Sequence, residues 1–153
     1  MEKVPVLVAI GVSVGGYRTV LGLQAGVNKF AFSWRELFRD LKRRRLEGSV
    51  VTLGIMDGLA GLERVFIEEF LNAKVQRCQL HVARNVLAKV PRKLNQIIGD
   101  EIRSIFYASS KKKALEVFQQ FKARWQKEMP SSVKCLENSH EACLTYLHFP
   151  EEK

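Results

Sequence analysis

The chain has 153 residues, 46% of them hydrophobic, with 25 Lys plus Arg against 16 Asp plus Glu, a net charge of +9. That is enough apolar residue for an ordinary core and too much for a disordered chain, and no apolar run reaches the roughly 18 residues that span a bilayer. Met1 is followed by Glu2 rather than by a basic stretch and an apolar run, so neither membrane insertion nor secretion is expected and a cytoplasmic location is.

Val4 to Val14 is an almost unbroken apolar run, which predicts a strand buried on both faces. A two-residue Gly15-Gly16 connection then leads to a second strand from Tyr17 to Leu23, so the first 25 residues predict a β-hairpin. Ser33 and Glu36 have capping-box spacing, and Trp34, Leu37, Phe38 and Leu41 recur at helical intervals, which predicts a helix over 34–46 ending in Lys42, Arg43, Arg44 and Arg45. Ser49 to Met56 predicts a second fully buried strand, stopped at Asp57-Gly58. Leu59, Leu62, Phe66 and Phe70 predict an amphipathic helix, and Ala73 to Arg77 a strand parallel to 50–56.

Leu80, Ala83, Leu87 and Val90 predict a further helix, closed by Pro91 because the residue before proline avoids helical dihedrals. Beyond Pro91 the hydrophobic period is helical throughout, with stripes from Leu94 to Phe106, from Ala114 to Trp125 and from Val133 to Leu147. Ser110 and Ser131 or Ser132 are the expected N-caps of the last two. The chain thus divides at the change of period into residues 1–91, of βαβ type, and an all-helical 92–150.

Positive charge runs the whole length of the chain rather than forming a tail, which favours a polyanionic partner, nucleic acid above all; a soluble basic protein without such a partner is the plain alternative. The expected basic surface comprises Lys42, Arg43, Arg44, Arg45, Arg77, Arg84, Lys89, Arg92 and Lys93.

Asp57 follows a buried strand, where open α/β sheets collect ligands and where a carboxylate can hold Mg²⁺; equally, an Asp-Gly turn there can cap the next helix. Cys78, His81 and Asn85 share one helical face flanked by arginines, a face suited to phosphate or simply a core cysteine beside a polar surface. Three cysteines at 78, 135 and 143 are odd in number and lack framework spacing, which argues against a disulfide scaffold. Cys78-x-x-His81 and His140-x-x-Cys143 supply enough ligands for a Cys₂His₂ zinc site, although the second pair also reads as a core stripe.

Taken together, IMDGLAGLERVF, VQRCQLHVARNVLAKVP, the LGLQAG before them and the YASSKKKALEVFQQF after them closely resemble the mutator-type transposases of bacterial insertion sequences, over essentially the whole chain. The resemblance implies an α/β ribonuclease H-like core followed by an all-helical insertion, and a Mg²⁺-dependent DDE enzyme that cuts and joins DNA. Its partners would be double-stranded DNA at element ends and target, and another transposase copy, either a homo-oligomer or the full-length protein; its place would be the nucleoid. Asp57 matches the family's second catalytic aspartate, and so its metal ligand. Cys78 and His81 match its CxxH pair near the active site, and Arg84 and Asn85 the residues that follow.

Two departures accompany the match. No residue here matches the first catalytic aspartate, whose strand precedes the hairpin and lies in the middle of a ribonuclease H-like sheet, and none matches the final glutamate; Glu151 and Glu152 do not. The expectation is therefore a core lacking its first strand, in a truncated transposase that is catalytically incomplete by itself, with a non-catalytic DNA-binding or transposase-interfering module as the alternative.

Overall fold

A computed structural model describes residues 3–26, 30–59 and 61–149. The chain forms two compact units, one of residues 1–54 and 58–74, the other of 55–57 and 75–153. They change over at Lys74, because the helix after Cys78 packs with the helices that follow it.

In the first unit β1 (Val6–Val12) pairs antiparallel with β2 (Arg18–Ala25), with a bulge between Ala9 and Ile10. The turn is longer than the expected Gly-Gly connection. Ser13 N donates to the Tyr17 carbonyl at 2.9 Å, and Gly16 takes the left-handed φ of 82° that a side chain would resist. The helix α1 (Phe30–Arg43) starts earlier than the Ser33 cap predicted, and Ser33 is buried within it. It lies close on one face of the hairpin, for a Cβ at Gly22 would stand 3.1 Å from Leu37 Cδ1.

That packing corrects the expectation of a strand buried on both faces. Along β1 only Leu7 is buried, while Val6, Val8, Ile10 and Val12 are exposed. An apolar run records what a strand can bury, not how many layers are there to cover it.

On α1's other side α2 (Leu62–Glu69) brings Phe66 and, just beyond it, Phe70 against Phe38, with centroids 5.8 and 5.4 Å apart in edge-to-face geometry. Leu37, Leu41, Leu62 and Val65 complete this core. Next to it Glu69 receives Arg35 Nη1 at 2.9 Å, Arg39 Nε at 3.1 Å and Lys42 Nζ at 3.0 Å, which ties the two helices along their polar edge.

The expected strand at 49–56 is shortened to β3 (Leu53–Met56), preceded by a 3₁₀ turn over Gly48–Val50, and only Gly54 of it is buried. It pairs with β4 (Lys74–Arg77). Lys74 N donates to the Thr52 carbonyl at 2.9 Å and Cys78 N to the Met56 carbonyl at 2.8 Å, so both segments run the same way and the pair is parallel, as the βαβ reading requires. No third strand joins either pair among the described residues.

The second unit is otherwise helical: α3 (Gln79–Leu87), α4 (Asn95–Phe106), α5 (Lys111–Trp125) and α6 (Pro130–Ser139), then two 3₁₀ turns to His148. Its core takes the predicted stripes of the later helices, Ile98, Ile102, Ile105 and Phe106, Phe118 and Phe121, Val133 and Leu136; from α3 it takes Val82 and Val86, a different face from the expected stripe, with Val90 buried but Leu80 exposed. Ser110 caps α5 as expected, accepting from Lys113 N at 3.1 Å. α6 instead begins at Pro130, whose missing N–H costs nothing in the first turn, and Ser132 is buried with its hydroxyl on the Lys89 carbonyl at 3.0 Å. The helix also stops short of Cys143, so the stripe from Val133 to Leu147 is one face of a helix followed by turns. Pro150, Glu151 and Glu152 lie outside the described residues.

Candidate functional site

Asp57 and Cys78 are 21 positions apart in sequence and side by side in space. The hydrogen bond from Cys78 N to the Met56 carbonyl puts both at the carboxyl end of the parallel pair, the end where strands of an open sheet present functional groups. Asp57 is half-buried. The N-cap of α2 is Gly61, in a left-handed conformation with φ of 87°, so Asp57 is not in the capping position of that helix.

Cys78 is the N-cap residue of α3 rather than part of its face, and it is half-buried. His81, Arg84 and Asn85 project from the first turns of α3 and are exposed. An open groove of about 580 Å³ begins at Cys78 and runs between α3 and α4, walled by Ile55, Leu80, Leu87, Asn95 and Phe106.

The placement of Cys78 depends on residues the sequence patterns passed over. Gln76 is buried and its Oε1 accepts from Tyr146 N at 2.7 Å; Thr145 Oγ1 donates to the Val75 carbonyl at 2.8 Å; Gln79 Nε2 donates to the Cys143 carbonyl at 3.1 Å. The 3₁₀ turns after α6 are thereby fastened along β4 and the start of α3. A glutamine inside a strand was the available signal, since a buried amide must find partners.

Cys143 is fully buried, and that burial pushes its thiol up to about 12, against a smaller opposing pull from Arg77, so it is neither a nucleophile nor a ready ligand. His140 stacks on Phe118 with centroids 4.1 Å apart, and its Nδ1 donates to the Leu136 carbonyl at 3.1 Å. Among the described residues no three His, Cys, Asp or Glu side chains come together, so the two i, i+3 pairs do not build the zinc site weighed above. The same observation bears on Mg²⁺. A two-metal centre needs several converging carboxylates, and the described donor set around Asp57 does not fit one.

The basic residues fall into two sets, one in each unit. In the first, Lys42 is committed internally to Glu69 and sits 5.0 Å over the Phe70 ring, while Arg43 and Arg44 pair with Asp40 at 3.7 and 2.9 Å. Arg45 is exposed at φ of 77°. In the second, Arg77 is half-buried in β4, whereas Arg84 on α3, Lys89 in the turn after it, and Arg92 and Lys93 in the following 3₁₀ turn are exposed. None of these last four meets a carboxylate within ion-pair distance among the described residues. No helix among the described residues is long and apolar enough to cross a membrane.

Residues 1–153 match the family described as "Transposase, Mutator family". Over 150 residues the chain is 29% identical to the transposase for insertion sequence element IS905 of Lactococcus lactis, covering 98% of this chain and 38% of that protein. It is 29% identical over 151 residues to the transposase for insertion sequence element IS1201 of Lactobacillus helveticus, covering 99% and 40%. To the transposase for insertion sequence element IS6120 of Mycolicibacterium smegmatis it is 30% identical over 151 residues, covering 99% and 46%. The chain spans less than half the length of each of these relatives.

Proposed function

Because the chain belongs to the Mutator family of transposases, we propose that it binds double-stranded DNA as part of insertion-sequence transposition and does not by itself cleave it. The observation that carries the binding is the uncompensated set Arg84, Lys89, Arg92 and Lys93, four exposed cations on one short stretch of the second unit. Such residues attract phosphate without reading sequence, and their release of counterions drives association. His81 and Asn85, beside Arg84 on α3, add donors that reach the same backbone.

The parallel pair with Asp57 at its carboxyl end, the preceding hairpin and the helical remainder support reading residues 1–91 as a partial ribonuclease H-like core and 92–150 as its helical insertion. In that reading Asp57 is one catalytic carboxylate, and Cys78 a positioning residue beside it. One carboxylate cannot organise phosphodiester hydrolysis, which needs an attacking oxygen activated and a leaving oxygen stabilised. The exposed cations Arg84, Lys89, Arg92 and Lys93 suit equally the second reading, a DNA-binding module that engages or interferes with a complete transposase.

The experiment is fluorescence anisotropy with a short duplex, alongside a nicking assay in Mg²⁺. Arg84→Glu with Arg92→Glu and Lys93→Glu should weaken duplex binding by at least about tenfold, with far-UV circular dichroism unchanged. Unaltered affinity in that triple variant defeats the proposed contacts, and Mg²⁺-dependent cleavage that Asp57→Asn abolishes defeats the claim that the chain is catalytically incomplete.

A further inference from the structure

The groove between α3 and α4 is apolar along its walls and cationic around them. α3 lends it Leu80, Ala83 and Leu87, α4 lends Ile102 and Phe106, and Ile55 of β3 stands at the end where Cys78 is. Ile55 and Leu80 are 59% and 55% exposed, and Tyr107 at the same end is 73% exposed, so apolar surface lies open to a ligand there. A Cβ on Gly99 would stand 3.9 Å from Leu87 Cδ1, which sets the start of α4 beside the end of α3 and makes the two helices antiparallel. The groove follows α3 for its 9 residues, a length of about 13 Å.

Cations stand along it and at both of its ends. Arg103 lines the α4 wall, and Arg84 follows Leu80 by one helical turn and so borders the α3 wall. Past the Leu87 end come Lys89, Arg92 and Lys93, and soon after Tyr107 the helix α5 opens on Lys111, Lys112 and Lys113. All of these are exposed. Arg84, Arg103 and Lys112 meet no carboxylate within ion-pair distance among the described residues. Asp100, the acid in the lining, accepts from Gln96 Nε2 at 3.3 Å.

An apolar strip ringed by positive charge is complemented by a ligand that carries flat apolar faces and anionic groups in alternation. A double helix does not offer that, because its base faces are stacked on one another and it meets a protein mainly through phosphate and sugar. An unpaired strand does, since its bases have open π-faces for apolar and aromatic side chains and its phosphates keep their charge.

We infer that this groove holds a short unpaired DNA strand, with bases laid on Leu80 and Tyr107 and phosphates drawn to Arg84 and Arg103. The inference rests on the reading of the chain as DNA-binding and adds the form of DNA that the second unit takes. The groove begins at Cys78, beside Asp57, so a strand opened from a duplex at that end enters it directly. An acidic amphipathic helix would answer the same charge, but it lacks the continuity that Arg84 gives between the groove and the duplex-binding cations Lys89, Arg92 and Lys93.

Fluorescence anisotropy of the whole chain at about 50 mM salt tests this with a flush duplex of about 20 base pairs and the same duplex carrying a tail of about six thymidines, at the 3′ end in one probe and the 5′ end in another. At least one tailed probe should bind about fivefold or more tightly than the flush duplex, the effect of about one stacked base. Tyr107→Ala and Leu80→Ser, both at exposed positions, should each bring that ratio close to one. Tyr107→Phe should keep it because the ring remains, and Ile97→Ser, on α4 outside the groove lining, should leave it unchanged. Equal affinity for flush and tailed probes overturns the groove as a DNA site, whether or not a Leu- and Glu-rich helical peptide binds there instead, and leaves duplex binding standing. A tail preference indifferent to both Tyr107→Ala and Leu80→Ser also overturns it. Absence of binding to every probe overturns this inference and the proposed function together.

Discussion

Arg45 is the described non-glycine residue in a left-handed conformation, at φ of 77°. It stands just past α1, where Leu46 N donates to the Leu41 carbonyl at 2.9 Å and Arg45 N to the Lys42 carbonyl at 3.1 Å, the pair of bonds that closes a helix in a Schellman turn. Glycine is the usual residue there because a Cβ crowds the following carbonyl. Arg45→Gly should therefore raise the stability of the first unit by about 1 kcal/mol, read as a later urea midpoint with the slope unchanged. A neutral or lower midpoint would mean that the arginine side chain makes up the backbone cost through contacts of its own.

Between elements, the pairing of α1 with α2 rests on an aromatic cluster and on Glu69. Burial raises the Glu69 carboxyl, but hydrogen bonds from Lys42, Arg35 and Arg39 outweigh it and hold the group below the usual carboxylate range. A carboxylate depressed on folding stabilises the fold above its unfolded value, near 4.3, and that stabilisation is lost as pH falls through the folded value. Glu69→Gln should then cost about 2 kcal/mol at neutral pH, since three partly exposed cations lose one shared acceptor, and the deficit should shrink below about pH 4. Equal losses at pH 7 and pH 3.5 would assign the effect to packing instead.

The same pair of helices shows why the sequence was legible only in part. Phe66 and Phe70 announce themselves by spacing, and both are buried where the pattern put them. Glu69 gives no such signal, because its partners lie 27 to 34 positions earlier. Ser33 misled for a related reason: a serine three residues before a glutamate fits a cap, yet α1 had already begun and the hydroxyl was enclosed. Local chemistry reads local structure, and so it recovered the hairpin, the parallel pair and the Ser110 cap. What depends on a distant partner, the number of layers over β1 or the fastening of the final turns by Gln76, was beyond it.

At the scale of the whole molecule, a net charge of +9 with exposed cations on α3 and just after it makes association with DNA a long-range event. If about four phosphates are neutralised, raising salt from 50 to 200 mM should reduce duplex affinity by about two orders of magnitude. A slope near zero in a plot of log affinity against log salt concentration would show that phosphate contacts do not dominate.

The contrast between the hairpin's two faces also bears on how the sequence can drift. On the side toward α1 an added methyl at Gly22 would press on Leu37 and Leu41 at 3.1 and 3.3 Å and displace the Arg44 side chain, whereas Val12 is 64% exposed. Substitution frequencies along β1 and β2 will consequently alternate with the pleat, restrained on one face and free on the other, and less sharply so wherever the open face is covered. The depth of that alternation among naturally varying copies of this hairpin is thus a record of how often the open face has been covered.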